Sequence, residues 1–283
     1  MCGQVFVLRS APTAQATQKA SGHTRAAQAT VCVFMLRAAA NSVFSVVWTA
    51  CMVSYAIGSS LILNDPEFFR RAQRHWARGL ARFWGMDLKV YGAENMPPGV
   101  PYVVMSNHAS YADIVALFMA LPVIPGFLAK RELMKIPFLA AALRAGGHVI
   151  IDRGKRESAR QAIDSAAQQV HSGKTVLIFP EGTRGDVEAV APFKSGGFHL
   201  AKAARVPIVP VGLRGTRAIG PKNSVLFWPG TVEVHIGAPI EPEEIAGKEL
   251  YPLMDTVRTR IASLSEQPVA PSGGAARASR APA

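Results

Sequence analysis

His108 and Asp113 stand five residues apart in the stretch Ser106-Asn107-His108-Ala109-Ser110-Tyr111-Ala112-Asp113. An imidazole is the usual general base near neutral pH, and a carboxylate is the usual group that fixes its tautomer. Ser110-Tyr111-Ala112-Asp113 also has the form of a capping box, so Asp113 reads equally as the acid of a helix start and His108 as a turn histidine. The apolar run Tyr102–Met105, bounded by Pro101, predicts a buried strand just ahead of this stretch. Ile114, Val115, Leu117 and Phe118 predict a helix just after it. The two titratable groups therefore belong to a strand-to-helix turn.

A second run of this kind lies downstream. Val176–Phe179 reads as a buried strand and leads into Pro180-Glu181-Gly182-Thr183-Arg184. Proline stops the strand, glycine permits a tight turn, and Thr, Arg and loop N–H groups can converge on one anion. The arginine fork matches phosphate oxygens two at a time. A surface turn with a solvated Glu and Arg is the plainer reading of the same residues. Two further loops carry cations at the edges of predicted elements: Asp152-Arg153-Gly154-Lys155-Arg156 and Phe193-Lys194-Ser195-Gly196-Gly197.

The elements that must position these residues alternate from Asp87 onward. Strands are predicted at Leu88–Tyr91, Tyr102–Met105, Gly126–Ala129, His148–Asp152, Val176–Phe179, Ile208–Gly212 and Val232–Ile236. Helices are predicted at Tyr111–Ala120, Pro137–Ala145, Arg156–Ser172, Gly196–Ala204 and Leu250–Leu264. This order predicts an α/β fold with a mixed, largely parallel sheet flanked by helices. Functional loops then belong at the carboxyl ends of strands.

Upstream, 1–34 reads as a leader rich in Ala, Thr and Gln without fixed structure. Residues 35–86 read as a hydrophobic anchor followed by a basic amphipathic helix. No charge occurs from Ala38 to Asn64, and at ~1.5 Å per residue this stretch is long enough for a ~30 Å hydrocarbon core. A spanning helix and a hairpin that breaks near Gly58-Ser59-Ser60 both fit. Asp65-Pro66 has the form of a helix start. Beyond it Phe69, Ala72, Trp76, Leu80 and Phe83 form an apolar face, and Arg70, Arg71, Arg74, Arg78 and Arg82 fall on the rest of the surface. The catalytic unit is expected over 87–266, with a flexible tail over 267–283.

The 31 Lys+Arg against 19 Asp+Glu give a net charge of +12, which suits an anionic partner. No recognition module for nucleic acid is present, and the seven histidines are scattered without ligand spacing, which speaks against a metal. Gly173-Lys174-Thr175 precedes a strand and lacks the first glycine of a P-loop. No Gly-x-Ser-x-Gly elbow occurs, and Cys2, Cys32 and Cys51 all lie upstream of the chemistry-bearing stretch.

Asn107–Asp113 resembles the NHxxxxD block of the glycerolipid acyltransferases, and Pro180–Arg184 resembles their PEGTR block. Phe127–Leu133, Val149–Arg153 and Val206–Val211 resemble the linking blocks in the right order, and the chain most resembles the 1-acylglycerol-3-phosphate acyltransferase branch. The resemblance implies that His108 removes the proton from an acceptor hydroxyl as it attacks an acyl thioester, with Asp113 holding the imidazole. It implies an acceptor phosphate site at Glu181, Gly182, Thr183 and Arg184, assisted by Arg153, with Lys130 and Lys194 as further contacts. The co-substrates implied are a lysophospholipid and acyl-CoA or acyl-carrier protein, with no cofactor and no metal, at the cytoplasmic face of a membrane. Gly185-Asp186 departs from the family pattern, in which many relatives carry Ser after the arginine. A different acceptor (a lyso-ornithine lipid or another lysophospholipid) therefore stays open, as does a non-catalytic membrane-binding scaffold.

Overall fold

The computed structural model describes residues 14–270, except 64–65, 137–139, 142, 145, 147, 152–155 and 186–188. Its strands are β1 (Met86–Tyr91), β2 (Val103–Ser106), β3 (Gly126–Lys130), β4 (Val149–Ile151), β5 (Val176–Ile178), β6 (Ile208–Arg214) and β7 (Gly230–Ile236). They form one sheet in the order β1-β7-β6-β2-β5-β3-β4. The strands from β6 to β4 are mutually parallel, β1 is parallel to β7, and β6 and β7 are antiparallel. The mixed, largely parallel sheet expected from the alternating pattern is therefore observed.

Strands covered on both faces need apolar side chains on both faces, which explains their continuous apolar runs. Val104, Leu177, Val209 and Val211 point into one core layer, whereas Val103, Met105, Val176, Ile178 and Ile208 point into the other. The first layer is closed by α2 (Pro66–Trp84) and α3 (Ala112–Ala120). The second is closed by α4 (Arg156–His171), α5 (Gly196–Ala204), α7 (Pro242–Gly247) and α8 (Leu250–Ser265), while a short α6 (Thr216–Ile219) follows β6. Of the helix expected over Pro137–Ala145, residues 140, 141, 143 and 144 are described and are helical.

The first helix, α1, runs unbroken from Ala14 to Leu63. Two expectations are corrected here. The leader over 1–34 is helical from Ala14, because an Ala- and Gln-rich stretch that lacks a core-facing pattern still has high helix propensity. The hairpin break near Gly58-Ser59-Ser60 does not occur. A helical glycine costs only about 1 kcal/mol, and Gly58 has open space around it. The next helix starts at Pro66, and the expected N-cap, Asp65, lies outside the described residues.

The polar residues of α1 dock it onto the rest of the chain. Trp48 Nε1 donates to the Trp76 carbonyl at 3.0 Å, Trp76 Nε1 to Thr49 Oγ1 at 3.0 Å, and Trp84 Nε1 to Ser45 Oγ at 2.8 Å. A Cβ on Gly79 would lie 2.4 Å from the Trp48 indole, so glycine sets the close approach of α1 and α2. Asn41 Nδ2 donates to the Phe227 carbonyl at 2.9 Å. The opposite face leaves Val43, Val46 and Val47 exposed. Cys32–Ser59 is long and apolar enough to cross a membrane by length and composition, and only 6% of that stretch is buried.

The flexible tail expected over 267–283 is not what its first four residues form. Residues 267–270 return to the fold: Val190 donates to Pro268 and accepts from Ala270, and Arg258 Nη2 donates to the Ala270 carbonyl. These backbone pairs hold a segment whose composition carries no signal of order. Residues 271–283 lie outside the described residues.

Candidate active site

His108 leaves the carboxyl end of β2 and Asp113 sits in the first turn of α3. Nδ1 of His108 lies 2.6 Å from Asp113 Oδ2. The same oxygen accepts the N–H groups of Ala109 at 2.8 Å and Ser110 at 2.9 Å. Asp113 is fully buried, whereas the His108 side chain keeps 18% of its surface. The capping-box acid and the partner of the histidine are therefore one oxygen doing both tasks. Since that oxygen can only accept while ionised, Nδ1 carries the ring proton and Nε2 is left with a free lone pair. Phe179, the residue after β5, stacks on the imidazole at 4.0 Å between centroids.

The turn itself is braced from three sides. Asn107 holds the end of β6 by a reciprocal pair, accepting from Leu213 N–H at 2.8 Å and donating to the Leu213 carbonyl at 3.0 Å. Its Nδ2 also reaches Gln267 Oε1 at 3.1 Å. Ser110 Oγ donates to the Gly220 carbonyl at 2.6 Å and accepts from Ala112 N–H at 3.0 Å. Glu181 supplies the third brace. Its Oε1 accepts the His108 N–H at 2.8 Å, and its Oε2 accepts the Ala191 N–H at 3.1 Å. Burial, with a smaller push from the Asp113 charge, raises the Glu181 carboxyl above its ordinary value, and those two N–H groups and the nearby His108 offset this only in part.

The loop after β5 folds over the histidine turn. Gly185 N–H donates to the His108 carbonyl at 2.8 Å. The Arg184 guanidinium lies 3.9 Å from the centre of the Tyr111 ring, and its Nη2 donates to Tyr111 Oη at 3.3 Å. Its Nη1 is buried with no hydrogen-bond partner among the described residues. Gly182 has a positive φ of 78°, and a Cβ there would fall 2.7 Å from Lys194 Nζ. Glycine suits this positive φ and leaves room for the Lys194 side chain across the loop. Lys194 is also tied in through its N–H, which donates to the Pro180 carbonyl at 2.8 Å.

The structure thus gathers His108, Asp113, Glu181, Gly182, Arg184 and Lys194, with Thr183 exposed on the same loop. Lys130 ends β3, two strands from β2, and its side chain lies outside the description. Arg153 falls in 152–155, outside the described residues; β4, which leads to it, is three strands from β2, about 14 Å away. Sequence reasoning missed Tyr111 as a seat for Arg184, Phe179 as a stacking partner, and the loop after β6. That loop, with the end of α8, forms a cavity of about 300 Å³ against His108, lined by Asn107, Glu181, Arg214, Thr216, Arg217 and Gln267 among others. Arg214 serves structure there, pairing with Glu266 at 2.7 Å and donating through Nε to the Leu264 carbonyl at 2.9 Å. Among the described residues, no three His, Cys, Asp or Glu side chains gather in a way that could hold a metal ion.

Comparison with known proteins places this site in a family. The Acyltransferase family profile matches residues 87–214. The human 1-acyl-sn-glycerol-3-phosphate acyltransferase alpha is 35% identical over 176 residues, which is 62% of either chain. The 1-acyl-sn-glycerol-3-phosphate acyltransferase of Saccharomyces cerevisiae is 36% identical over 183 residues, 62% of this chain and 59% of its own. This chain therefore spans about three fifths of the length of these two relatives. The human beta protein of the same name is 31% identical over 198 residues, 68% of this chain and 71% of its own. The crystal structure of the 1-acyl-sn-glycerophosphate (LPA) acyltransferase PlsC from Thermotoga maritima superposes with a TM-score of 0.74 at 26% identity, covering 83% of this chain and 95% of that one. With its histidine–aspartate turn and folded-over arginine loop inside the matched region, the chain belongs to the acyltransferase family.

Proposed function

We propose that this chain transfers a fatty acyl group from acyl-CoA or acyl-carrier protein to the free hydroxyl of 1-acyl-glycerol-3-phosphate, giving phosphatidate. The observation that carries this reading is the His108–Asp113 pair, held in one turn that is hydrogen-bonded to the Arg184 loop. The hydroxyl of the acceptor gives its proton to Nε2 of His108 as its oxygen attacks the thioester carbonyl. The C–S bond then breaks, and the departing thiolate takes the proton back from the imidazolium. Asp113 fixes the tautomer before the step and offsets the positive ring during it. Such general-base help is worth about 10²–10⁴ in rate. The attack is direct, with no acyl-enzyme.

The acceptor phosphate is assigned to Arg184 and Lys194. Arg184 is seated on Tyr111 with Nη1 still lacking a partner among the described residues, and Lys194 crosses the same loop at Gly182. Lys130 and Arg153 are kept as further acceptor contacts because their sequence positions match the family's linking blocks. Glu181, with both oxygens taken by backbone N–H groups, acts as a positioning residue rather than a substrate ligand. The exposed apolar face of α1 serves as the membrane anchor, with the catalytic unit on the cytoplasmic side. The relatives' names support the acceptor; the His108–Asp113 pair and the arginine-bearing loop hydrogen-bonded to its turn support the chemistry.

The test uses the full-length protein with lysophosphatidate and labelled acyl-CoA or acyl-carrier protein. Labelled phosphatidate is the expected product. Its absence with both donors rejects the proposal, while product formed only from a lysolipid without a terminal phosphate would keep the transfer and reassign the acceptor.

A further inference from the structure

A cavity of about 490 Å³ opens where β2, β3 and β5 begin, lined there by Val100, Gly126 and Thr175. These parallel strands run away from it, and β2 and β5 end at the His108 turn and the Arg184 loop. The cavity and the catalytic pair therefore lie at opposite ends of the sheet. Arg70, Arg71 and Arg74 of α2 line it together with Lys174, and no described lining residue carries a carboxylate. Arg74 is fixed by neutral acceptors, donating to the carbonyls of Leu121 at 2.9 Å and Pro122 at 3.0 Å. Burial, and then the charge of Arg78, hold its pKa below the usual arginine value. A concave surface of one sign concentrates ions of the other. The side-chain oxygen of Gln169, another lining residue, is buried with no partner among the described residues, so it suits a hydroxyl donor.

An apolar slot of about 100 Å³ adjoins this cavity and shares Phe69 and Gln73 with it. Met52, Val53 and Ala56 of α1 line the slot, and the opposite face of that helix is apolar and exposed. A cationic cavity beside an apolar slot, against a helix suited to lipid, matches a molecule with a charged head and a hydrocarbon tail. We propose that the cavity binds the phosphate of an anionic phospholipid headgroup, as a second site separate from the catalytic cleft. The lipid source is favoured over a soluble phosphate because the slot would stay empty around the latter.

The test counts lipid retained by the full-length protein in neutral detergent, using native mass spectrometry with phosphatidylglycerol or phosphatidylcholine. Phosphatidylglycerol is retained in preference, and Lys174→Gln weakens it about fivefold, the worth of one cation near an anionic headgroup. Val100→Glu, which places a carboxylate at an exposed lining position, weakens it further. Both variants keep wild-type acyl transfer in the same detergent. Equal retention of the two lipids, or unchanged affinity in both variants, overturns the site. Loss of retention in Arg184→Ala would put the bound lipid in the catalytic cleft and likewise overturn it. Displacement of the lipid by millimolar inorganic phosphate would keep the phosphate site and overturn its lipid source.

Discussion

The backbone N–H of His108 donates to Glu181 Oε1 at 2.8 Å, while the His108 carbonyl accepts from Gly185 at 2.8 Å. His108, the proposed base, is therefore held from both sides by the loop that also carries Arg184. Glu181→Ala strips this hold and leaves the His108 and Ala191 N–H groups without their acceptor. The expected cost is about 1–3 kcal/mol of stability for each N–H left dry. Turnover falls as well, with the acceptor's KM little changed, because the residue positions the base and does not touch substrate. Urea unfolding and steady-state kinetics on the same preparation check both parts. Glu181→Gln, which keeps one acceptor oxygen, recovers part of each.

Asp113 and His108 separate chemistry from structure. His108→Ala removes the base but leaves the Asp113 contacts to Ala109 and Ser110, so turnover falls by about 10²–10⁴ with the melting temperature unchanged. Asp113→Ala loses turnover too, and also leaves two N–H groups unpaired at the start of α3, costing about 1–3 kcal/mol for each. Equal melting temperatures for the two variants would show that the carboxylate has no bracing role.

The sheet was legible because β2, β5 and β6 are buried on both faces and read as continuous apolar runs, while β7 alternates. All of the expected strands form, with ends shifted by a few residues; β6, for instance, runs on to Arg214 past the expected Gly212. His108, Asp113 and Arg184 were legible because each sits at a strand end in a short local pattern. Phe179 and Tyr111 were not, since a ring stacked on an imidazole or beneath a guanidinium leaves no periodic trace. Nor was the return of 267–270, whose order comes from pairing with Val190, about eighty residues away in the chain. Helix α1 hid its docking face because Asn41, Ser45 and Thr49 look like polar interruptions in an apolar run and are in fact its contacts.

Arg184→Ala separates acceptor from donor. Hydrogen bonds to charged groups are worth about 1.5–3 kcal/mol, so the acceptor's KM rises about tenfold or more while the donor's stays put. Tyr111→Phe removes only the bond to Nη2 and keeps the ring beneath the guanidinium, so its effect is smaller than that of Tyr111→Ala. Initial rates with each substrate varied in turn read the split. Equal rises for both substrates would remove Arg184 from the acceptor phosphate.

His148 links the anchor helices to the sheet and gives stability a pH dependence. It is 8% exposed, its Nδ1 accepts the Phe127 N–H at 3.2 Å, and its Nε2 lies 2.9 Å from the Gln73 side-chain amide. With Nδ1 accepting, the ring proton sits on Nε2, and the amide oxygen of Gln73 is the group that must face it. Burial lowers the His148 pKa to about 4. The fold thus prefers the neutral ring, and the unfolded chain takes up a proton first as pH falls. The stability this ring contributes is complete above about pH 6.5 and is lost as pH drops toward 4, a change of roughly 3 kcal/mol. Chemical unfolding at pH 7 and pH 4.5 should show the larger loss in the native protein and a smaller one in His148→Gln. The same loss in both would place the acid sensitivity elsewhere.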